Sequence, residues 1–471
     1  MTSRYRGERP GTLATLAAAA LAFGGATLIH PLAGVVIALV AGLVLIHPFE
    51  PVTALATLAV AASFVDNGGG HSTRELAVVT VVALYALVSV ALARANGRWR
   101  APGGALSLMI GAFLGWTLFC AIRGALAGNS LKFLFLELAG LGTMAFAWIA
   151  SGLRVNERDL QSAMPILIVG ALGHVALGGW SYVVNHIRTG GIWYTPYPGM
   201  FAVFALAFAL HSTSARARWG WTILMGLCLW HQTISFSRGL WFGLLAALPW
   251  TMVMFAGIGR GSAIRWRRVL SVAAIGGTLL VACTLATAMA FGWSDLLSLI
   301  GTRFGSSFAV KYSGESASNV ARLLEYASSF RLISREPWLG YGLGLEIRIR
   351  EPFFHVLTRQ WYIHHSYLWL CLKEGLVGFV LLLAALTLAI RCGIAGARSA
   401  NPKVAAWSLS AAGVTIYLSV ASLTTYYLAQ VNAPTLQAVL WGFTVALQHP
   451  PHWQLVWSAR RATPSDLALT T

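Results

Sequence analysis

The chain has 471 residues, 57% of them apolar and 10% charged, against roughly 45–50% and about 25% in an ordinary soluble domain. That balance excludes a soluble enzyme, a secreted domain and a single-pass receptor, since one spanning helix needs only about 20 apolar residues. The net charge of +18, from 33 basic and 15 acidic residues, would suit a nucleic-acid partner if the cations shared one soluble face, so their placement along the chain decides the matter.

The first ten residues, MTSRYRGERP, are basic and lead into an apolar run. With no clear cleavage site and more apolar segments following, that run reads as a first membrane anchor rather than a removed signal. Apolar runs then recur at 12–29, 32–47, 51–65, 76–94, 104–123, 131–152, 163–184, 194–212, 219–235, 238–258, 268–291, 364–391, 404–425 and 432–449. They are continuous rather than alternating with period two, which argues against an outer-membrane barrel. The pattern predicts an all-α, polytopic integral membrane protein with about 12–14 transmembrane helices. Runs 32–47 and 51–65 are short and broken at His30-Pro31 and His47-Pro48, so each reads as a half-helix or as part of a tilted pair.

Lys and Arg alternate with these runs. With the N-terminus inside, the inner segments hold 19 of the 33 basic residues, while the short outer loops hold only Arg74, Arg123, Lys132, Arg188 and Arg238. Cytoplasmic loops retain positive charge, so both termini are expected in the cytoplasm, and no nucleic-acid partner is needed to account for the charge. The expected division is an N-terminal bundle over 1–292, a long periplasmic loop over 293–363, C-terminal transmembrane helices over 364–449 and a cytoplasmic tail over 450–471. Loops that long are usually functional when ordered. Within this one, NVARLLEYASSFRLI, starting at Asn319, has helical apolar spacing, and Gly340, Gly342 and Gly344 mark a close backbone turn leading back to the membrane.

The five cysteines lie in or at the ends of apolar runs without metal-like spacing, which predicts neither a disulfide framework nor a zinc site. No phosphate loop, nucleotide-binding glycine motif or paired-carboxylate motif is present, so neither a metal nor a cofactor is expected. The outward side offers arginine and histidine instead. Arg238 opens a helix in SFSRGLWFG, where the macrodipole disfavours a cation unless an anion joins it there; an interfacial arginine on lipid phosphate is the plainer alternative. Arg322 precedes the Pro-Trp-Leu-Gly-Tyr-Gly turn and could instead form a surface pair with Glu325, as Arg335 could with Glu336. His364 and His365 stand where HHSYLWLCLKEGLVG enters the membrane, and a neutral imidazole there can accept a proton near pH 7, although interfacial histidines are common. Tyr367 and Glu374 share one face of that helix. Lys373 and Glu374 are costly in an apolar helix and mark either a packing network or a polar pathway.

Together, Ser235-Phe-Ser-Arg238-Gly, Arg322 followed by Pro337-Trp-Leu-Gly-Tyr-Gly342, and His364-His365-Ser-Tyr-Leu368 with Glu374-Gly375 resemble the O-antigen ligase and polymerase family of bacterial envelope glycosyltransferases. By motif the resemblance covers roughly 185–391. It implies His364 as catalytic residue and Arg238 and Arg322 as arginines engaging the lipid pyrophosphate, with Arg188 and Arg303 as weaker matches and His365, Tyr367 and Glu374 as supporting residues. His365 departs from the family's usual Asn, which leaves the choice between His364 and His365 open. The implied activity is metal-independent, inverting transfer of a glycan from undecaprenyl pyrophosphate to a sugar hydroxyl, lipid A-core or another glycan, on the periplasmic side of the inner membrane. The same residues would serve a polymerase. From another class, a proton-coupled secondary transporter could use Lys373, Glu374 and the histidines as a relay, but no inverted repeat is visible.

Overall fold

A computed structural model of the chain describes residues 50–64, 73–185, 195–235, 237–258, 262–291, 301, 316–350 and 357–448. The runs expected at 12–29 and 32–47 lie outside the described residues. The ordered elements are α1 (Pro51–Ser63), α2 (Thr73–Ala95), α3 (Ala105–Leu126), α4 (Leu131–Gly142), α5 (Ala145–Ser151), α6 (Glu157–Asn185), α7 (Tyr197–His211), α8 (Ala215–Ile234), α9 (Arg238–Gly257), α10 (Ser262–Phe291) and α11 (Ser316–Ile333). A two-stranded antiparallel ribbon follows, β1 (Ile347–Arg350) with β2 (Leu357–Gln360), and then α12 (Ser366–Gly396), α13 (Pro402–Ala421) and α14 (Pro434–Gln448). The protein is an all-α, polytopic membrane protein.

Among the described residues seven helical stretches are long and apolar enough to cross a bilayer, with 131–151 counted as one. The remaining apolar helices are shorter, and burial explains why that suffices. In α7 every residue from Tyr197 to Leu210 is buried, enclosed by α8, α9 and α13. Fifteen residues rise only about 22 Å, less than the roughly 30 Å hydrocarbon thickness, but a helix wrapped by protein need not match the lipid. The short run at 51–65 likewise becomes α1, capped by the Glu50 carboxylate on the Thr53 N–H at 2.6 Å, started by Pro51 and buried against α2, α6 and α14. By contrast, only 17% of the span within α10 is buried, so its apolar face meets lipid.

The element that positions everything at one end of the bundle is a break in α12. Gly375 takes φ 70°, so the helix interrupts its own hydrogen bonding. The freed groups are taken up by a turn from the preceding loop. Leu372 O accepts the Tyr341 N–H and Lys373 O the Gly342 N–H, both at 2.9 Å, while Pro337 O accepts the Leu376 N–H at 2.8 Å. Trp116 Nε1 donates to Glu374 O at 3.0 Å. Gly342, at φ +82°, brings the turn so close to α3 that a Cβ there would stand 2.5 Å from Gly124 N.

Polar side chains fasten the same turn. Arg123 donates to Leu339 O at 2.8 Å and also to Gly340 O, and Asn129 donates to Tyr341 O and Leu343 O at 3.1 and 3.0 Å. Deeper in, fully buried Lys373 and Glu137 pair at 2.7 Å; Lys373 Nζ also donates to Leu345 O, and Glu137 accepts the Gly344 N–H at 2.6 Å. Lys373 therefore belongs to a packing network. Removing one partner of a buried pair leaves an uncompensated charge and typically costs about 3–5 kcal/mol, whereas removing both is far milder. Lys373→Met should accordingly destabilise the protein strongly in thermal unfolding in detergent, and adding Glu137→Leu should recover most of the loss.

Candidate functional site

α11 reaches the start of α12 from the loop side. Its buried face carries Glu325 and Ser329, one turn apart, while Leu323 and Phe330 are about 60% exposed on the other side. The Glu325 carboxylate meets His364 twice. It lies 3.0 and 3.1 Å from Nδ1 and accepts the His364 backbone N–H at 3.1 Å. A carboxylate only accepts, so Nδ1 is the donor of this contact, and Nε2 has no protein hydrogen-bond partner among the described residues. The ring keeps contact with solvent, its side chain 29% exposed against 4% for Glu325.

Neighbours fix this dyad. Tyr326 Oη donates to His364 O at 2.9 Å. The Tyr362 ring stands edge-on to His364 at 5.3 Å and stacks on Tyr426 at 4.6 Å, with Trp361 against Tyr426 and Phe133. Burial, together with the Glu325 charge, holds the Tyr326 and Tyr362 hydroxyls above the usual phenol range, so both stay protonated. Ser366 pins the start of α12: its N–H donates to Ser422 O at 2.9 Å and its hydroxyl to Thr425 O at 2.8 Å.

The two adjacent histidines occupy different environments. His365 is the N-cap of α12, its Nδ1 accepting the Leu368 N–H at 3.3 Å, and burial pushes its imidazole below the usual histidine range. Asn is among the best N-cap residues because its side-chain oxygen accepts the same kind of bond. An Asn at position 365 could therefore fill the same cap role.

The arginines gather one turn further along α11. Arg238, at the first position of α9, donates to Asn319 Oδ1 at 3.2 Å. Arg322 follows Asn319 by one turn and lies within electrostatic reach of Tyr326, and its buried Nε has no hydrogen-bond partner. Arg238 and Arg322 are therefore linked to the neighbourhood of His364 through Asn319 and Tyr326. Arg188 and Arg303 lie outside the described residues. Tyr367 sits below the histidines with its hydroxyl on Ser419 O at 2.9 Å. Glu374 is not brought to the site: it is buried within α12, eight residues and about 12 Å beyond the helix start.

Two surface-pair readings fail. Glu325 is buried on His364 rather than exposed beside Arg322, and Glu336 faces Arg123 at 3.8 Å. Glu325, Tyr326 and Tyr362 are site residues that sequence reasoning missed. For Glu325 the signal was its i, i+4 spacing to Ser329 on the small-residue side of α11. Among the described residues no group of three or more His, Cys, Asp or Glu could hold a metal ion.

The described residues thus form a multi-pass helical membrane protein with a carboxylate-bound histidine and arginines at one end of the bundle. Residues 201–383, which contain all the described site residues, match the O-antigen ligase family. No curated protein matches the chain.

The cap assignment makes His365 separable from His364. Losing an N-cap costs about 0.5–2 kcal/mol. His365→Ala should lower the unfolding temperature, and His365→Asn should leave it unchanged or raise it, both read by thermal unfolding in detergent.

Proposed function

We propose that the protein transfers a glycan from undecaprenyl pyrophosphate to a sugar hydroxyl, most simply as an O-antigen ligase acting on lipid A-core, with His364 as general base. The observation that carries this reading is the Glu325–His364 dyad, in which Nδ1 donates to the carboxylate and Nε2 is left for the acceptor, with Arg322 one turn before Glu325 on α11. In the reaction the acceptor hydroxyl gives its proton to His364 Nε2 as its oxygen attacks the anomeric carbon of the donor. The bond from that carbon to the diphosphate oxygen breaks, and in-line attack inverts the centre. Glu325 holds the ring's tautomer and offsets the imidazolium charge as it forms. Arg238 and Arg322, with Arg188 and Arg303 as the weaker candidates, stabilise the departing diphosphate with planar guanidinium forks and require no metal. His365 and Tyr367 support the start of α12. The loop 293–363 is the periplasmic unit of this inner-membrane protein, with both termini cytoplasmic. A polymerase would use the same chemistry with a second lipid-linked glycan as acceptor.

Deleting the protein from its host tests the choice. Loss of capped lipid A-core with intact lipid-linked polymer supports a ligase; accumulation of single repeat units supports a polymerase and overturns ligation.

His364→Ala should cut transfer by roughly 10²–10⁴-fold or more while the purified protein still binds lipid-linked donor. Glu325→Gln should lower kcat with little change in donor KM, and Glu325→Asp should recover part of it. Full turnover by His364→Ala in a detergent assay would refute the base assignment.

Arg238→Lys and Arg322→Lys should each impair donor use severely, because a point charge cannot reproduce the bidentate fork. The assay is complementation of a deletion strain alongside donor KM, with excess EDTA present in the purified reaction; wild-type behaviour of both variants would sink the diphosphate assignment.

A further inference from the structure

The end of the bundle opposite His364 holds a second cluster of arginines that the transfer reaction does not use. Arg218 near the start of α8 donates to Ser212 O at 3.5 Å, Arg268 in the first turns of α10 donates to Leu210 O at 2.9 Å, and Arg265 donates to Phe255 O at 3.2 Å. These carbonyls end α7 and α9. They lie close together, since the His211 ring between Leu210 and Ser212 stands 4.9 Å from the Phe255 ring, over which Arg265 sits at 5.5 Å. Arg268 is within electrostatic reach of both Arg218 and Arg265.

The charges do not balance. Two helix C-termini contribute about half a negative charge each, which leaves roughly two of the three positive charges unmatched. Among the described residues no carboxylate pairs with any of the three. Each guanidinium has five N–H donors, and Arg218 Nε is buried without a hydrogen-bond partner.

The depth of the cluster identifies the missing anion. α9 begins at Arg238 beside the active site and ends 20 residues later beside this cluster, a rise of about 30 Å, so the arginines lie at the headgroup level of the other leaflet. Trp219 and Trp266 flank them, 52% and 44% exposed, as tryptophans do at the interface. We propose that Arg218, Arg265 and Arg268 form a binding site for the phosphate of an anionic phospholipid headgroup in the leaflet opposite His364. The phosphodiester accepts the free guanidinium N–H groups and supplies the counter-charge that no carboxylate among the described residues provides.

The test is thermal unfolding of the full chain in detergent with phosphatidylglycerol, phosphatidylcholine or inorganic phosphate added. Phosphatidylglycerol should raise the unfolding temperature and the other two should not, and native mass spectrometry should retain a phosphatidylglycerol adduct. Arg218→Gln should abolish the shift. If that variant does not fold, Ser212→Asp keeps all three arginines and adds a carboxylate among them; it should make phosphatidylglycerol ineffective. Equal effects of the two lipids on the wild type, or an undiminished phosphatidylglycerol shift in Ser212→Asp, would overturn the site. A full shift with inorganic phosphate alone would assign the cluster to soluble phosphate and overturn the lipid as its source.

Discussion

A transmembrane helix cannot leave its backbone groups unpaired in hydrocarbon, and α12 breaks that rule at Gly375 unless another segment supplies partners. The turn at 337–345 does so, pairing with carbonyls and N–H groups on both sides of the break. This exchange explains why the turn needs left-handed glycines and why Arg123, Asn129, Glu137 and Lys373 converge on it. It also explains the site. Once the turn is locked between α3 and α12, α11 on one side of it and the β1–β2 ribbon on the other have little freedom, and Glu325 is delivered to His364.

Carboxylates are scarce in this chain, 15 among 471 residues, and two of the buried ones, Glu137 and Glu325, stand where a single acid decides an orientation. Glu137 holds the glycine turn through Lys373 and the Gly344 N–H. Glu325 holds His364 through both its ring and its backbone. Arg322 and the arginines at the opposite end pair with no carboxylate among the ion pairs of the described residues. That asymmetry suits the proposed reading, in which a diphosphate on one side and lipid phosphates on the other carry the negative charge.

α11 shows why the most informative residue escaped the sequence reading. A helix outside the membrane is expected to turn its apolar stripe inward. Here Leu323, Leu324 and Phe330 face outward and Glu325 and Ser329 face inward, so the usual rule places Glu325 on the surface with Arg322. The helix itself was legible, since its spacing needs no knowledge of the surroundings. His365 shows the converse: it looked like a rival to His364 because two adjacent histidines are chemically alike, and only the cap geometry on Leu368 separates them.

Apolar runs, their lengths and the alternation of Arg and Lys determined that this is a polytopic helical membrane protein, because hydrophobic transfer and charge retention act locally along the chain. Clustered motifs likewise pointed to Arg238, Arg322 and His364. Which short helices could stay short, which acid meets which base, and how the broken α12 is repaired were decided by tertiary structure alone. Each depends on contacts between segments far apart in sequence, such as Glu325 with His364 and Glu137 with Lys373, and the energy of a buried charge is set by the partner brought to it rather than by its neighbours in the chain.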